Sequence, residues 1–315
     1  MNRWLSLALK LGITVLLFWL LLRKIDINAA WQAMQAMSIW AFVATVALLV
    51  VQLFICGFRW QMVVKALDAH IGLGKATGVF AIGTFFGLIL PGAVGGDVVR
   101  MWATRRAGLS LAASINSVVL ERVATVFALV LLVVVLEPLL VSEIPSSTSL
   151  WLFPVILVAM IVGTCVVMLL DRLPERIQHW RLVRALGQLA GDTRRLCLRP
   201  GRIISVLVVA VIGHLNLGLA AYALACGMHV NISVIDAVAL FMPAVLIATL
   251  PISVAGWGAR EAAMVTLYGF AGVPAAQALA ISILYGLAST LVALSGGVLW
   301  LAERKAPDGN PTEQA

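Results

Sequence analysis

The chain has 315 residues, of which 62% are hydrophobic and 11% charged, with a formal charge of +8. A soluble domain is closer to half apolar and a quarter charged, so this composition excludes a water-soluble globular fold and indicates an all-α polytopic membrane protein. In that class the basic excess belongs to loops that orient the chain in a bilayer, and no nucleic-acid partner is implied.

The first apolar run is 5–22. Arg3 and Lys10 resemble the start of a signal sequence, but the following RKIDINAAW offers no small-x-small cleavage site, so a retained first helix is expected. The second crossing is 38–58, and Arg59 and Trp60 at its end read as interfacial anchors, with contact to a lipid head group as the alternative for Arg59. The next run, 77–90, is too short to cross. Its length before Pro91 gives about 21 Å of helix against a hydrocarbon core of about 30 Å.

The segment LPGAVGGDVVRMW follows at 90–102. Pro91 cannot continue a helix ladder, and Gly92, Gly95 and Gly96 permit a tight turn. Asp97 stands where an N-cap belongs, and Arg100 lies one turn on. Only seven residues separate Asp97 from the Arg105–Arg106 pair, so the return arm is about 10 Å long and the segment reads as a re-entrant hairpin. Such a break is tolerated only where protein or a wet cavity shields the backbone.

The third crossing, 109–136, carries Glu121 and Arg122 about 18 Å into its helix. Charges at that depth cost about 2.5–3.5 kcal/mol each, so partners are expected: Asp97 for Arg122, and Arg100 or Arg260 for Glu121. Crossings at 150–170 and 203–226 follow, separated by the Arg-rich loop 171–202, which is expected to be a solvated cytoplasmic face. His214 and Asn216 read as interhelical hydrogen-bonding groups. A second short run, 237–250, ends in LPISVAGWGARE, with Pro251 for the break, Gly256 and Gly258 for the turn, then Arg260 and Glu261. The last crossing is 276–301, and a disordered tail spans 302–315.

Six crossings and two hairpins place 17 of the 22 Lys and Arg in cytoplasmic segments with both termini inside. Eight full spans would place 14 inside, so the positive-inside rule favours the hairpin arrangement. That arrangement divides the chain into two inverted-topology halves, 1–136 and 150–301. Leu90, Pro91, Val94, Gly96 and Arg100 recur 160 positions later as Leu250, Pro251, Val254, Gly256 and Arg260. A broken helix at membrane depth directs unpaired N–H groups at an anion, and a nearby arginine adds a bidentate contact. The other reading is that Asp97 and Arg100 merely pair at i, i+3 and anchor the hairpin. No catalytic motif, metal cluster or cofactor motif is visible, and GLGKATG lacks the spacing of a nucleotide-binding loop.

LPGAVGGDVVRMWATRRAG together with SVVLERV resembles the lysylphosphatidylglycerol synthase transmembrane region, or flippase-like domain family. The resemblance implies that Pro91, Gly92, Gly95, Gly96, Asp97 and Arg100 belong to a first motif. Glu121 and Arg122 belong to a second, and Pro251, Gly256, Gly258, Arg260 and Glu261 to a third. With only 14 residues after Leu301, an aminoacyl-transfer domain is not expected, and lipid synthesis is not implied. The function expected is translocation of an anionic or aminoacylated lipid head group between leaflets of the inner membrane. The head group would be bound by the glycines and charged residues of the three motifs. The alternatives are a membrane enzyme or an accessory protein in envelope lipid or glycan synthesis, with a phospholipid or lipid-linked substrate and either a homo-oligomer or a biosynthetic enzyme as partner.

Overall fold

A computed structural model of the chain describes residues 3–89, 95–106, 108–140, 149–170, 181–250, 252–254 and 256–305. The described residues form twelve α-helices. They are α1 (Arg3–Lys24), α2 (Ile27–Gln35), α3 (Ile39–Ala66), α4 (Leu73–Ile89), α5 (Gly95–Arg106) and α6 (Leu111–Leu140), then α7 (Ser149–Leu169), α8 (Arg181–Cys197), α9 (Pro200–Gly227), α10 (Val234–Thr249), α11 (Ala259–Phe270) and α12 (Ala275–Lys305). Five of them are long and apolar enough to cross a membrane: Ile39–Ala66, Leu111–Leu139, Trp151–Leu169, Pro200–Gly227 and Ala275–Arg304. The remaining crossing expected from the sequence, 5–22, lies within α1. The chain is an all-α, multi-pass membrane protein.

Helix order repeats. A long helix, a short helix, a 28-residue helix, two short apolar-to-polar helices and a helix of 30 or 31 residues occur once in α1–α6 and again in α7–α12. Helices α3 and α9 are 161 positions apart, and each is followed by a residue forced to positive φ, Asp68 at 59° and His229 at 55°. These two helices pack on each other antiparallel along their length. Thr45 Oγ1 donates to Ala220 O at 3.1 Å, Asn216 Nδ2 donates to Leu48 O at 2.9 Å, and Arg202 Nη1 donates to Ala66 O at 3.2 Å. Gly213 lets the two backbones close, because a Cβ there would stand 3.2 Å from Gln52 and Ile55 side chains. The main core lies between α3, α6, α9, α10, α11 and α12 around Phe241, Met242, Met264 and Tyr268.

The short helices form two antiparallel pairs. In the first, Gly96 of α5 meets Gly83 of α4, and Arg100 packs over Phe80 one turn earlier in α4. In the second, Tyr268 near the end of α11 donates to Ala237 O near the start of α10 at 2.9 Å. At about 1.5 Å per residue α4 and α10 are about 26 and 24 Å long, still short of the hydrocarbon core. The return arm α5 has 12 residues, longer than the seven expected, because helix resumes at Gly95 before the aspartate. Asp97 therefore sits in the first turn of α5 rather than at its cap. Pro91, Gly92 and Pro251 lie outside the described residues.

Gly83 and Gly96 are required by contact. A Cβ on Gly83 would stand 3.0 Å from Gly96 O, and one on Gly96 would overlap the Gly83 carbonyl. Backbone cannot retreat as a side chain can, so Gly96→Ala should cost about 1–3 kcal/mol or more. Gly78→Ala, in α4 with open space around it, should be neutral or mildly stabilising. Thermal melts of the detergent-solubilised variants separate the two.

Two features correct the sequence reading. The segment 171–202 is not a solvated loop throughout, because 181–197 is the amphipathic helix α8. It buries Ala190, Thr193 and Leu196 against α6 and α9 while Arg195 faces outward. Arg59 and Trp60 are not at a helix end, because α3 continues to Ala66. Trp60 is fully buried and Arg59 is 3% exposed.

Candidate functional site

Three helices bring five charged side chains together. Arg59 comes from α3, Asp97 and Arg100 from α5, and Glu121 and Arg122 from α6. Glu121 is the hub: its Oε1 accepts from Arg59 Nε at 2.9 Å and Nη2 at 2.5 Å, and its Oε2 accepts from Arg100 Nη2 at 2.9 Å. Thr125 Oγ1, one turn on, donates to the same Oε1 at 3.2 Å. Asp97 receives Arg122 Nε at 2.5 Å and stands 3.6 Å from Arg100 Nη1. Adjacent residues on a helix point in different directions, so Glu121 can face α3 and α5 while Arg122 turns to the start of α5. Both pairings expected from the cost of buried charge are present, Asp97 with Arg122 and Arg100 with Glu121. The i, i+3 contact between Asp97 and Arg100 is present beside them.

Arg100 is also held by two rings, Trp60 and Phe80, each with its centroid 4.8 Å from the guanidinium carbon. Its Nε–H is buried and has no hydrogen-bond partner among the described residues. The cluster opens onto a cavity of about 630 Å³. Arg59, Asp97, Arg100, Glu121 and Arg122 form its polar wall, and the end of α10, Leu246 to Leu250, faces them. Arg122 is the accessible member, with half of its side chain exposed. Three guanidiniums against two carboxylates leave the wall with one positive charge in excess.

Arg260 and Glu261 do not join this wall. They form a second cluster with Ser282 of α12. Glu261 Oε1 accepts from Arg260 Nη2 at 2.6 Å and from Ser282 Oγ at 3.1 Å, while its Oε2 accepts from Gly258 N–H at 2.5 Å. Arg260 lies between the Trp257 and Tyr285 rings at 5.0 and 5.6 Å, repeating the aromatic sandwich around Arg100. Gly286 leaves room for that guanidinium. Gly256 and Gly258, at φ 79° and 83°, shape the turn before α11, and Gly258 packs on Thr14 and Leu17 of α1. Of the residues expected at the site, Gly96, Asp97, Arg100, Glu121 and Arg122 line the cavity, and Gly95 starts the helix behind it.

Arg59, Ser282 and Tyr285 escaped the sequence reading. Arg59 carried a usable signal, since an arginine with two further helical turns after it must find an acid. His214 and Asn216 make the interhelical bonds expected of them, to Thr125 O at 3.0 Å and Leu48 O at 2.9 Å.

Residues 7–297 match the model of a family described as the lysylphosphatidylglycerol synthase TM region. The chain belongs to that family. A search of curated proteins finds no match. Membership in the lysylphosphatidylglycerol synthase TM family fits a multi-pass membrane protein concerned with lipid, and the match runs from α1 into α12, so it includes both charged clusters.

Proposed function

We propose that this protein is a lipid translocator that moves an anionic or aminoacylated head group between leaflets, built from two inverted-topology repeats, α1–α6 and α7–α12. The observation that carries the reading is the charged cavity at the α4–α5 pair. It offers a half-exposed Arg122 and one net positive charge to a head group, at the end of a helix too short to cross. The antiparallel packing of α3 on α9, which occupy the same place in each repeat, supports the inverted relation. In this scheme α4–α5 and α10–α11 are re-entrant hairpins, both termini are cytoplasmic, and the membrane is the inner one.

The two hairpin ends differ in a way that suits one state of an alternating-access cycle. Helix α1 closes on the second: Thr14 accepts Val254 N–H at 3.1 Å, and Phe18 packs against Trp257. At the first, α7 contributes Met160 alone to the cavity wall among the described residues. Among the described residues, α1 covers the second turn while α7 leaves the first cavity open.

The test is reconstitution into liposomes with a panel of labelled and native phospholipids. Wild-type protein is expected to exceed protein-free controls for at least one anionic or aminoacylated lipid. Arg122→Gln should lower that rate about tenfold with a smaller fall in melting temperature than loss of Glu121, because its side chain is half exposed and buried Asp97 keeps its contact to Arg100. No movement of any lipid would end the translocator reading. Chemically altered lipid after incubation would favour an enzyme instead.

A further inference from the structure

A second cavity, of about 510 Å³, lies at the far end of the α3–α9 seam. Its polar lining comes from three separate stretches: Gln61 and Lys65 in the last turns of α3, His70 in the turn before α4, and Arg202 and Ser205 in the first turns of α9. None of its lining residues is acidic. The nearest carboxylate in sequence, Asp68, is directed to Arg195 at 3.5 Å. Gln61 spends its Nε2–H on Ile71 O at 2.8 Å and Arg202 spends one N–H on Ala66 O at 3.2 Å, which fixes both side chains at the cavity wall. The Lys65 ammonium, the remaining Arg202 donors and the His70 ring are left facing the same space, while the Ser205 hydroxyl donates to Gly201 O at 2.6 Å. Phe58 and Met62 continue the wall as an apolar face.

We propose that this cavity binds a phosphate ester, with the phosphate between Lys65, His70 and Arg202 and any attached chains along Phe58 and Met62. Phosphate is the ligand class that such a set recognises, because a lysine supplies a point charge and an arginine a planar fork of donors. The site is distinct from the cavity beside Glu121 and holds whether or not that cavity carries cargo.

A general bias of basic residues toward one membrane face would scatter them over loops. Here residues more than 130 positions apart in sequence converge on one concave surface. The equivalent positions 161 residues away show that the fold does not demand it. Lys65, His70 and Arg202 correspond to Cys226, Asn231 and Ala41, and the α3–α9 packing is built without charge there.

The full chain in nanodiscs of phosphatidylcholine doped with phosphatidylglycerol, analysed by native mass spectrometry, tests the site. Wild-type protein should retain phosphatidylglycerol. The Lys65→Gln/His70→Gln double variant should retain it about tenfold more weakly, since one charged contact and one ring N–H contact to the phosphate are lost together. Both positions are exposed, so folding is preserved. A matched neutralisation elsewhere, Arg23→Gln with Arg304→Gln, should change nothing. Inorganic phosphate and glycerophosphate, titrated into detergent-solubilised protein while the His70 ring resonance is followed, identify the source. Retention of phosphatidylglycerol without a shift assigns a lipid head group, and a saturable shift without retention assigns a free phosphate. Equal retention by the double variant and wild type with no shift, or an equal loss in the matched variant, would overturn the proposal.

Discussion

Replacing Glu121 with alanine is expected to abolish the folded protein in detergent. Its carboxylate is 2% exposed and answers two guanidiniums that are themselves almost fully buried, Arg59 and Arg100. Without it, Arg59 has no carboxylate among its bonded partners, and Arg100 has only the longer contact to Asp97. Removing one partner of a buried pair typically costs about 3–5 kcal/mol, because the orphaned charge remains desolvated. Whole domains are stable by about 5–15 kcal/mol, so this single change consumes a large part of the total. Fluorescence-detected size-exclusion after a heat step should show the loss as a collapse of the monodisperse peak. Glu121→Ala combined with Arg59→Met should recover part of it, since the double change removes one of the two stranded charges and keeps the Arg59 volume largely filled. If Glu121→Ala melts like wild type, the cluster is not what holds α3, α5 and α6 together.

The same cluster explains why this part of the site was readable from sequence. A carboxylate or guanidinium inside an apolar run is costly enough that its position alone announces a partner, and Asp97, Arg100, Glu121 and Arg122 had few others to choose from. Proline and glycine likewise marked the ends of α4 and α10. Arg59 was hidden because hydropathy falls at Arg59 and the helix was taken to end there, whereas α3 continues through a mixed, amphipathic stretch to Ala66. Helices α2 and α8 were hidden for the same reason. Their apolar residues recur at helical spacing but never accumulate into a run.

The second cluster was misplaced by a shift of register. Matching at 160 positions pairs Arg100 with Arg260. Helices α4 and α10 end 160 positions apart, but α5 and α11 start 164 apart, so the second connection is four residues longer. On the helices themselves Asp97 corresponds to Glu261, and Arg100 corresponds to Met264. Just over one helical turn therefore separates the two arginines, and Arg260, in the first turn of α11, meets Ser282 of α12 and not the cavity. The repeat was legible in order and length; the insertion was not, because it falls in a turn with no hydrophobic pattern to keep count.

That longer second turn reaches α1, and a covalent link there is expected to arrest translocation. With the native cysteines replaced, since Cys165 and Cys226 are exposed, Thr14→Cys and Val254→Cys would sit where the Val254 amide now meets the Thr14 hydroxyl at 3.1 Å. That spacing is compatible with the about 4.4–6.8 Å between Cα atoms that a disulfide requires. If access alternates, the second hairpin must part from α1 before a head group can leave on that side, and a disulfide makes parting impossible. The oxidised double variant should carry lipid at least about tenfold more slowly than its reduced form, and reductant should restore the rate, as expected when one of two states is removed. Either cysteine alone should leave transport unchanged. Undiminished transport by the oxidised protein would mean that lipid passes without the second hairpin leaving α1, and the route would then have to run from the Arg122 cavity along the outer surface of α6 and α7.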